Sequence, residues 1–175
     1  MRTVKFFLAG LLLSWAAWPA AAGPVQEYDL KSAFIYNFAT FTNWPESSSS
    51  TLNVCIAAPE RVFGHFVQLT GKKVGNLTMS VRSIKRGTVL QDCQILFVSD
   101  EESSAFNAWL PELVGKSTLT ISESERWVSK GVMIGLLLEG RNIVFDVNLT
   151  AAQASGVEIS SRLLRLAHRV YRAEQ

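Results

Sequence analysis

The 175-residue sequence contains few of the side chains that most often carry out catalysis or bind metals. It has two cysteines and two histidines. The spacing of His65 and His168 from each other and from the cysteines is not one found among zinc ligands. The sequence also lacks the motifs of serine hydrolases, phosphate-binding loops, dinucleotide-binding folds and zinc proteases. We therefore predict no catalytic residue, no metal site and no cofactor, and a protein that is not an enzyme.

Long apolar runs are also scarce, and the one at the start of the chain is short. Arg2 and Lys5 precede an apolar stretch at residues 6–17, and small residues follow it. The stretch is shorter than the ~20 residues that span a bilayer, and this order of features is typical of a secretory signal peptide. We predict a cleaved signal peptide at residues 1–22 and one exported domain at residues 23–175, without membrane insertion. An uncleaved membrane anchor is the alternative.

An excess of charge of one sign is missing as well. The whole sequence has 17 lysines and arginines and 15 aspartates and glutamates. Two of the basic residues, Arg2 and Lys5, would leave with the signal peptide, so the exported domain is neutral by formal count. A neutral domain has no overall attraction for nucleic acid, and we predict no nucleic acid partner.

The two cysteines lie in separate apolar runs that are typical of β-strands. Cys55 belongs to the run at residues 52–57, and Cys93 begins the run at residues 93–99. An even number of cysteines in an exported chain favours a disulfide. If the two strands are neighbours, closing a loop of about 40 residues would stabilise the fold by about 4 kcal/mol. Two buried thiols that never meet are the alternative.

The remaining patterns alternate between helical and strand periodicity. Helices are predicted at residues 25–43, 60–70, 103–114, 149–154 and 160–172; strands at 52–57, 77–84, 93–99, 118–122, 132–138 and 142–147. The last two strands are separated by Glu139-Gly140-Arg141, which indicates a β-hairpin. This order predicts a single α/β domain with a mixed, partly parallel central sheet flanked by helices, a C-terminal hairpin and two C-terminal helices.

Two groups of residues are candidates for binding a partner or a ligand. The last predicted helix carries arginines at spacings of three, four and three, which would line one face beside His168; these are Arg162, Arg165, Arg169 and Arg172. Such a strip can recognise a carboxylate, a phosphate or an acidic partner, although a solvated cationic face is the alternative. The first helix is apolar on most sides, so it is either buried or shared with a partner through residues such as Phe38, Phe41 and Trp44.

Several segments together resemble the YfiR family of exported bacterial proteins. The resemblance covers most of residues 28–168 and is most specific in two motifs, Phe41-Thr-Asn-Trp-Pro45 and Ser160-Ser-Arg-Leu-Leu-Arg-Leu-Ala167. The runs at residues 95–99, 131–136 and 143–149 also contribute to it. Members often carry a second cysteine pair, which would lie near residues 125–131, and this sequence has none there. A redox switch built on that pair therefore cannot be carried over, and Cys55 and Cys93 resemble the other, more variable pair.

The resemblance implies a function that composition and spacing do not. It implies a periplasmic repressor that holds the periplasmic sensor domain of an inner-membrane GGDEF-type diguanylate cyclase inactive, lowering cyclic-di-GMP and biofilm formation. It also implies that the chain can form dimers. The alternative is a periplasmic module that binds a small anionic or aromatic ligand, with Arg165 and His168 at its site.

Overall fold

The computed structural model describes residues 24–44 and 49–172, so the predicted signal peptide lies outside the described residues. The helices are α1 (Pro24–Thr40), α2 (Glu60–Phe63), α3 (Phe106–Leu113), α4 (Glu125–Val128), α5 (Leu149–Ala154) and α6 (Ser161–Leu166). The strands are β1 (Thr42–Asn43), β2 (Thr51–Ala57), β3 (Lys73–Val74), β4 (Leu77–Ser83), β5 (Ile95–Val98), β6 (Leu119–Ser122), β7 (Ile134–Glu139), β8 (Asn142–Asn148), β9 (Glu158–Ile159) and β10 (Arg169–Tyr171). Within the described ranges, no helix is both long enough and apolar enough to cross a membrane.

The central sheet has eight strands in the order β10-β8-β7-β6-β5-β2-β4-β3. The five strands from β7 to β4 are parallel, whereas β7–β8 and β4–β3 are antiparallel pairs. Every residue of β5 and β6 is buried. Helices cover both faces of a parallel sheet, so side chains that point to either face are buried, and an unbroken apolar run suits such a strand. The predicted mixed, partly parallel sheet with a C-terminal hairpin is confirmed.

The direction of winding reverses between β2 and β5. The chain leaves β2 and enters β4 on one side of it, then returns to place β5 on the other side. The connections that follow the carboxyl ends of β2 and β5 therefore diverge, and open α/β sheets have a crevice at such a point. The first turns of α1 lie over this end of the sheet, since Lys31 contacts Glu123, the residue that follows β6.

Two apolar layers hold the helices on opposite faces of the sheet. On one face, Ile35 and Phe38 of α1 pack in a cluster with Phe97 of β5. On the other face, Trp109 of α3 packs in a cluster with Leu96. The alternation of Leu96 and Phe97 between the two layers follows from the two-residue period of a strand.

The final predicted helix is wrong in its second half. Helix α6 ends at Leu166, and residues 169–171 form β10, which pairs in parallel with β8. Val170 and Tyr171 suit a strand, because β-branched and aromatic side chains pack well on a sheet. Pairing with β8 gives hydrogen-bond partners to backbone N–H and C=O groups at an edge that would otherwise be open. This gain decides the structure of residues 169–171, although the arginines have helical spacing.

Other boundaries differ by less. The predicted first helix ends at Thr40, and a two-residue strand, β1, follows it. The predicted helix at 60–70 divides into α2 and a 3₁₀ turn at Val67–Leu69. The predicted helix at 103–114 becomes a 3₁₀ turn at Asp100–Ala105 followed by α3. Helices this short have few backbone hydrogen bonds of their own, so packing against the sheet holds them in position.

Gly135 of β7 lies close against Val128 of α4. A Cβ atom added at this position would lie 2.6 Å from Cγ2 of Val128. Gly135→Ala should therefore lower the free energy of unfolding by about 1–3 kcal/mol through overpacking. Chemical denaturation of Gly135→Ala, Val128→Ala and the double variant measures this effect. The double variant should lose less stability than the sum of the single ones, and additive losses would contradict the contact.

Candidate partner-binding surface

The end of α1 and the start of α6 are joined by a short two-stranded ribbon. In it, β1 and β9 pair antiparallel, with Thr42 opposite Ile159. The Ser160 backbone N–H also donates to the Phe41 carbonyl oxygen at 2.9 Å. The two segments that carry the most specific sequence motifs are therefore neighbours, although they are far apart in the chain.

Helix α6 follows this ribbon and exposes both basic and apolar side chains. Ser160 caps the helix by accepting a hydrogen bond from the Leu163 N–H, and the Leu163 side chain is buried and anchors it. Arg162 and Arg165 are exposed three residues apart, and no described residue pairs with either guanidinium. Leu166 is 68% exposed. We refer to Phe41, Trp44, Arg162, Arg165 and Leu166 as the ribbon surface.

The three aromatic residues predicted for partner contact have different positions. Phe41 and Trp44 are half-buried, so part of each ring is available. The Trp44 indole N–H donates to the Ala39 carbonyl oxygen at 2.9 Å, which fixes the ring. Phe38 is fully buried, with its ring centroid 5.1 Å from that of Phe145. The prediction that Phe38 offers an exposed contact is therefore wrong, and its role is in the core.

The structure separates His168 and Arg169 from the arginines of α6. Because they lie after the end of the helix, they do not share its face, and the predicted four-arginine strip does not form. Arg169 donates to Glu125 at 2.8 Å. A hydrogen bond with Tyr171 and the charge of Glu125 raise the pKa of the Arg169 guanidinium. Burial likewise raises the pKa of the Tyr171 hydroxyl.

His168 lies between two carboxylates. Its Nδ1 is 3.3 Å from Oδ1 of Asp146, which is fully buried, and 3.5 Å from Oε1 of Glu139. The other carboxylate oxygen of Asp146 accepts a hydrogen bond from the Tyr171 hydroxyl at 3.2 Å. This negative surrounding disfavours an anionic ligand at His168. His168 instead lies between β8 and β10, and its backbone N–H donates to the Phe145 carbonyl oxygen of β8 at 2.8 Å.

The predicted disulfide between Cys55 and Cys93 is confirmed. The two Cα atoms are 5.8 Å apart, and both cysteines are buried in the layer beneath α3. Arg82 of β4 donates to both sulfur atoms, with its Nε 3.2 Å from Cys55 Sγ and its Nη2 3.3 Å from Cys93 Sγ. The sequence gives no sign of this arginine, because its position depends on the pairing of β4 with β2.

A second charged group, which the sequence patterns did not indicate, lies at the other end of α1. The Lys31 side chain is only 4% exposed and pairs with Glu27 and with Glu123, the latter at 2.7 Å. The Tyr28 ring lies 4.9 Å from the Lys31 ammonium. The i,i+4 spacing of Glu27 and Lys31 is visible in the sequence. Glu123 is 92 residues away from Lys31 and is brought to it only by the fold.

Tyr28 gives this group a measurable response to alkaline pH. Burial and the charge of Glu123 raise the pKa of its hydroxyl from 10.0 to about 12. Between these values the folded state keeps the proton and the unfolded state loses it, so stability falls as pH rises through this range. Because Tyr28 is only partly buried, we expect a loss of about 1–2 kcal/mol. Urea denaturation from pH 9 to 11 should show a larger loss in the wild type than in Tyr28→Phe, which keeps only the contribution of Tyr171.

Comparison with solved structures supports the fold. One match is an ABC domain in complex with L-Trp from Streptococcus pneumonia, with a TM-score of 0.50, 10% identity, and coverage of 82% of this chain and 60% of that one. Another is a conserved domain protein from Vibrio cholerae O1 biovar El Tor strain N16961, with a TM-score of 0.53, 11% identity, and coverage of 85% and 60%. This chain therefore spans about 60% of the length of these two proteins. At such low identity the likeness concerns the fold alone.

A family profile gives the more direct result. The YfiR/HmsC-like profile matches residues 28–168. This range runs from α1 to the residue before β10, and it includes the ribbon surface and both cysteines. It is also the range over which the sequence motifs resemble the family. The chain belongs to the YfiR/HmsC-like family.

Proposed function

We propose that this protein is a periplasmic, non-enzymatic regulator that binds the sensor module of an inner-membrane diguanylate cyclase and represses the cyclase. Repression would lower cyclic-di-GMP and biofilm formation. The family match over residues 28–168 is the observation that carries the proposal. The ribbon surface supplies a place for the contact, since its arginines have no described partner within the chain.

The chemistry of the ribbon surface suggests what the sensor module presents. Arg162 and Arg165 suit carboxylates on the partner, because a guanidinium binds a carboxylate through two parallel hydrogen bonds. Leu166 and the exposed parts of Phe41 and Trp44 suit an apolar centre. Aromatic and arginine side chains often supply most of the binding energy at protein interfaces.

Repression by binding requires only that the complex favours the inactive cyclase. If the regulator binds the inactive conformation about 100-fold more tightly than the active one, saturation shifts the equilibrium between them by the same factor. This mechanism needs no catalytic group in the regulator. A dimer of the chain, which the family resemblance implies, would present two ribbon surfaces.

A paired charge reversal tests the surface. Arg162→Glu/Arg165→Glu should weaken binding to the sensor module by at least tenfold and raise cyclic-di-GMP to the level of a strain without the gene. Lys85→Glu/Arg86→Glu is the matched control, because these exposed basic residues follow β4 and belong to neither strand of the ribbon. Unchanged cyclic-di-GMP on deletion of the gene, with no cyclase co-purifying, would refute the proposed function.

Small-ligand binding is a second candidate, and a cleft beside the ribbon favours it. The cleft has a volume of about 610 Å³ and is lined in part by Asn43, Gln153, Glu158 and Ser160. Calorimetry against nucleotides and aromatic amino acids would detect a ligand, and Gln153→Ala should weaken it. Binding that is unaffected by this substitution would place the ligand elsewhere.

A further inference from the structure

The crevice where the sheet reverses its winding is filled by the first turns of α1. Ligands of open α/β sheets bind at the carboxyl ends of the strands, at the point where the strand order reverses. In this chain, that position lies at the carboxyl ends of β2 and β5. Tyr28 and Lys31 of α1 cover it, and Tyr28 packs against Phe66 and stacks on His65.

The Lys31 ammonium is bound there in the manner of a ligand. Glu27 and Glu123 accept hydrogen bonds from it, and the Tyr28 ring adds a cation–π contact. An ammonium group has three donors, and two acceptors are found among the described residues. The other oxygen of Glu123 accepts from the Asp100 backbone N–H at 2.9 Å, which holds the carboxylate in place.

Ser99 supplies a further polar atom with no described partner. Its side chain is fully buried, and its hydroxyl makes no hydrogen bond within the described ranges. Ser99 directly follows β5, and the alternation of that strand places it on the same face as Phe97, the face that α1 covers. It immediately precedes Asp100, whose N–H bonds Glu123. A buried hydroxyl without a partner is uncommon and indicates an acceptor that a bound group could use.

We propose that this crevice binds the primary ammonium group of a small aliphatic amine, and that Lys31 occupies it as an intramolecular ligand until such an amine replaces it. Glu123 would pair with the incoming ammonium, and the Ser99 hydroxyl would accept its third hydrogen bond. The proposal concerns the isolated domain and does not depend on the cyclase.

The way α1 is held allows this exchange without opening the core. The contacts of residues 27–31 include the ion pair of Lys31 with Glu123, the 2.9 Å contact of Asp29 with His65 and the ring contacts of Tyr28. Its second half is attached by Ile35 and Phe38, which are fully buried. Loss of the Lys31 ion pair would therefore loosen residues 27–31 and leave the apolar half of the helix in place.

Chemical rescue of Lys31→Ala tests the site. About 50 mM n-propylammonium chloride should raise the melting temperature of Lys31→Ala by about 3 °C, if it binds with a Kd of about 10 mM. Tetramethylammonium chloride at the same concentration, which has the charge but no N–H donor, should not. Adding Ser99→Ala should reduce the rise by at least half, and adding Glu123→Gln should abolish it. Equal effects of the two salts, or no rise, would overturn the proposal.

The wild-type protein provides a test that does not depend on the folding of a variant. Titration with 1,4-diaminobutane should shift the amide resonances of Ser99, Asp100 and Glu123. Hydrogen exchange of residues 28–31 should become at least twofold faster, because the amine would compete with Lys31. Absence of both changes, or the same changes with tetramethylammonium, would likewise overturn it.

Discussion

Replacing both Cys55 and Cys93 with alanine should lower the free energy of unfolding by about 4 kcal/mol. The bond closes a loop with a sequence separation of 38 residues, and the loss of that restraint increases the entropy of the unfolded chain. The melting temperature should fall by about 10 °C, as expected for a domain of this size. Calorimetry of the oxidised wild type and the double variant measures both quantities.

The variant leaves Arg82 in place, and this matters for the control. In the wild type the Arg82 guanidinium donates to both sulfur atoms. In the variant it would lose these two acceptors and keep its hydrogen bond to the Gln91 carbonyl oxygen. The reduced wild type is therefore the matched comparison, because it keeps both sulfur atoms beside Arg82. A loss below 1 kcal/mol in both forms would contradict a stabilising role for the disulfide.

Much of the fold follows from local patterns in the chain. The apolar runs at β5 and β6 are long enough for strands and too short for helices, and both are buried strands. The hairpin turn was also predicted, from the glycine between two apolar runs. Gly140 has a φ of 62° in this turn, a conformation that favours glycine. Helix α5 likewise matches its predicted bounds, with Asn148 accepting a hydrogen bond from the Ala151 N–H at its start.

The errors occur where a distant segment decides the local structure. The arginines at 162, 165, 169 and 172 have helical spacing, yet the last part of this segment is a strand because β8 has an open edge. The β1–β9 ribbon has two residues in each strand, too few for any periodicity to appear. Phe38 could not be separated from Phe41 by sequence, since both are apolar and only the packing of α1 distinguishes them.

The same reasoning explains which residues of the candidate sites could be predicted from the sequence. Phe41, Trp44, Arg162 and Arg165 were predicted as two separate groups, and the ribbon joins the two segments that carry them. The pairing of Lys31 with Glu123 and of Arg82 with the disulfide depends on contacts across the fold. No local pattern encodes such contacts, and the charged residues involved look like ordinary surface residues in the sequence.

Lys31→Met should strongly lower the free energy of unfolding of the domain. The side chains of Lys31 and Glu123 are 4% and 6% exposed. Removing the ammonium leaves the Glu123 carboxylate buried without its cation. Breaking a buried pair in this way costs about 3–5 kcal/mol, because the remaining charge is neither solvated nor compensated. Urea denaturation monitored by tryptophan fluorescence would measure the loss.

A double variant separates the missing attraction from the remaining charge. Lys31→Met/Glu123→Gln removes the orphaned carboxylate, so it should recover at least half of the stability that Lys31→Met loses. Lys130→Met is a suitable control because Lys130 is exposed and lies 5.0 Å from the Trp127 ring, with no described ion pair. Its loss should stay below about 1 kcal/mol. If Lys31→Met lost no more stability than the control, Lys31 and Glu123 would be solvated. The buried ion pair, and the comparison of the Lys31 ammonium with a bound ligand, would then be wrong.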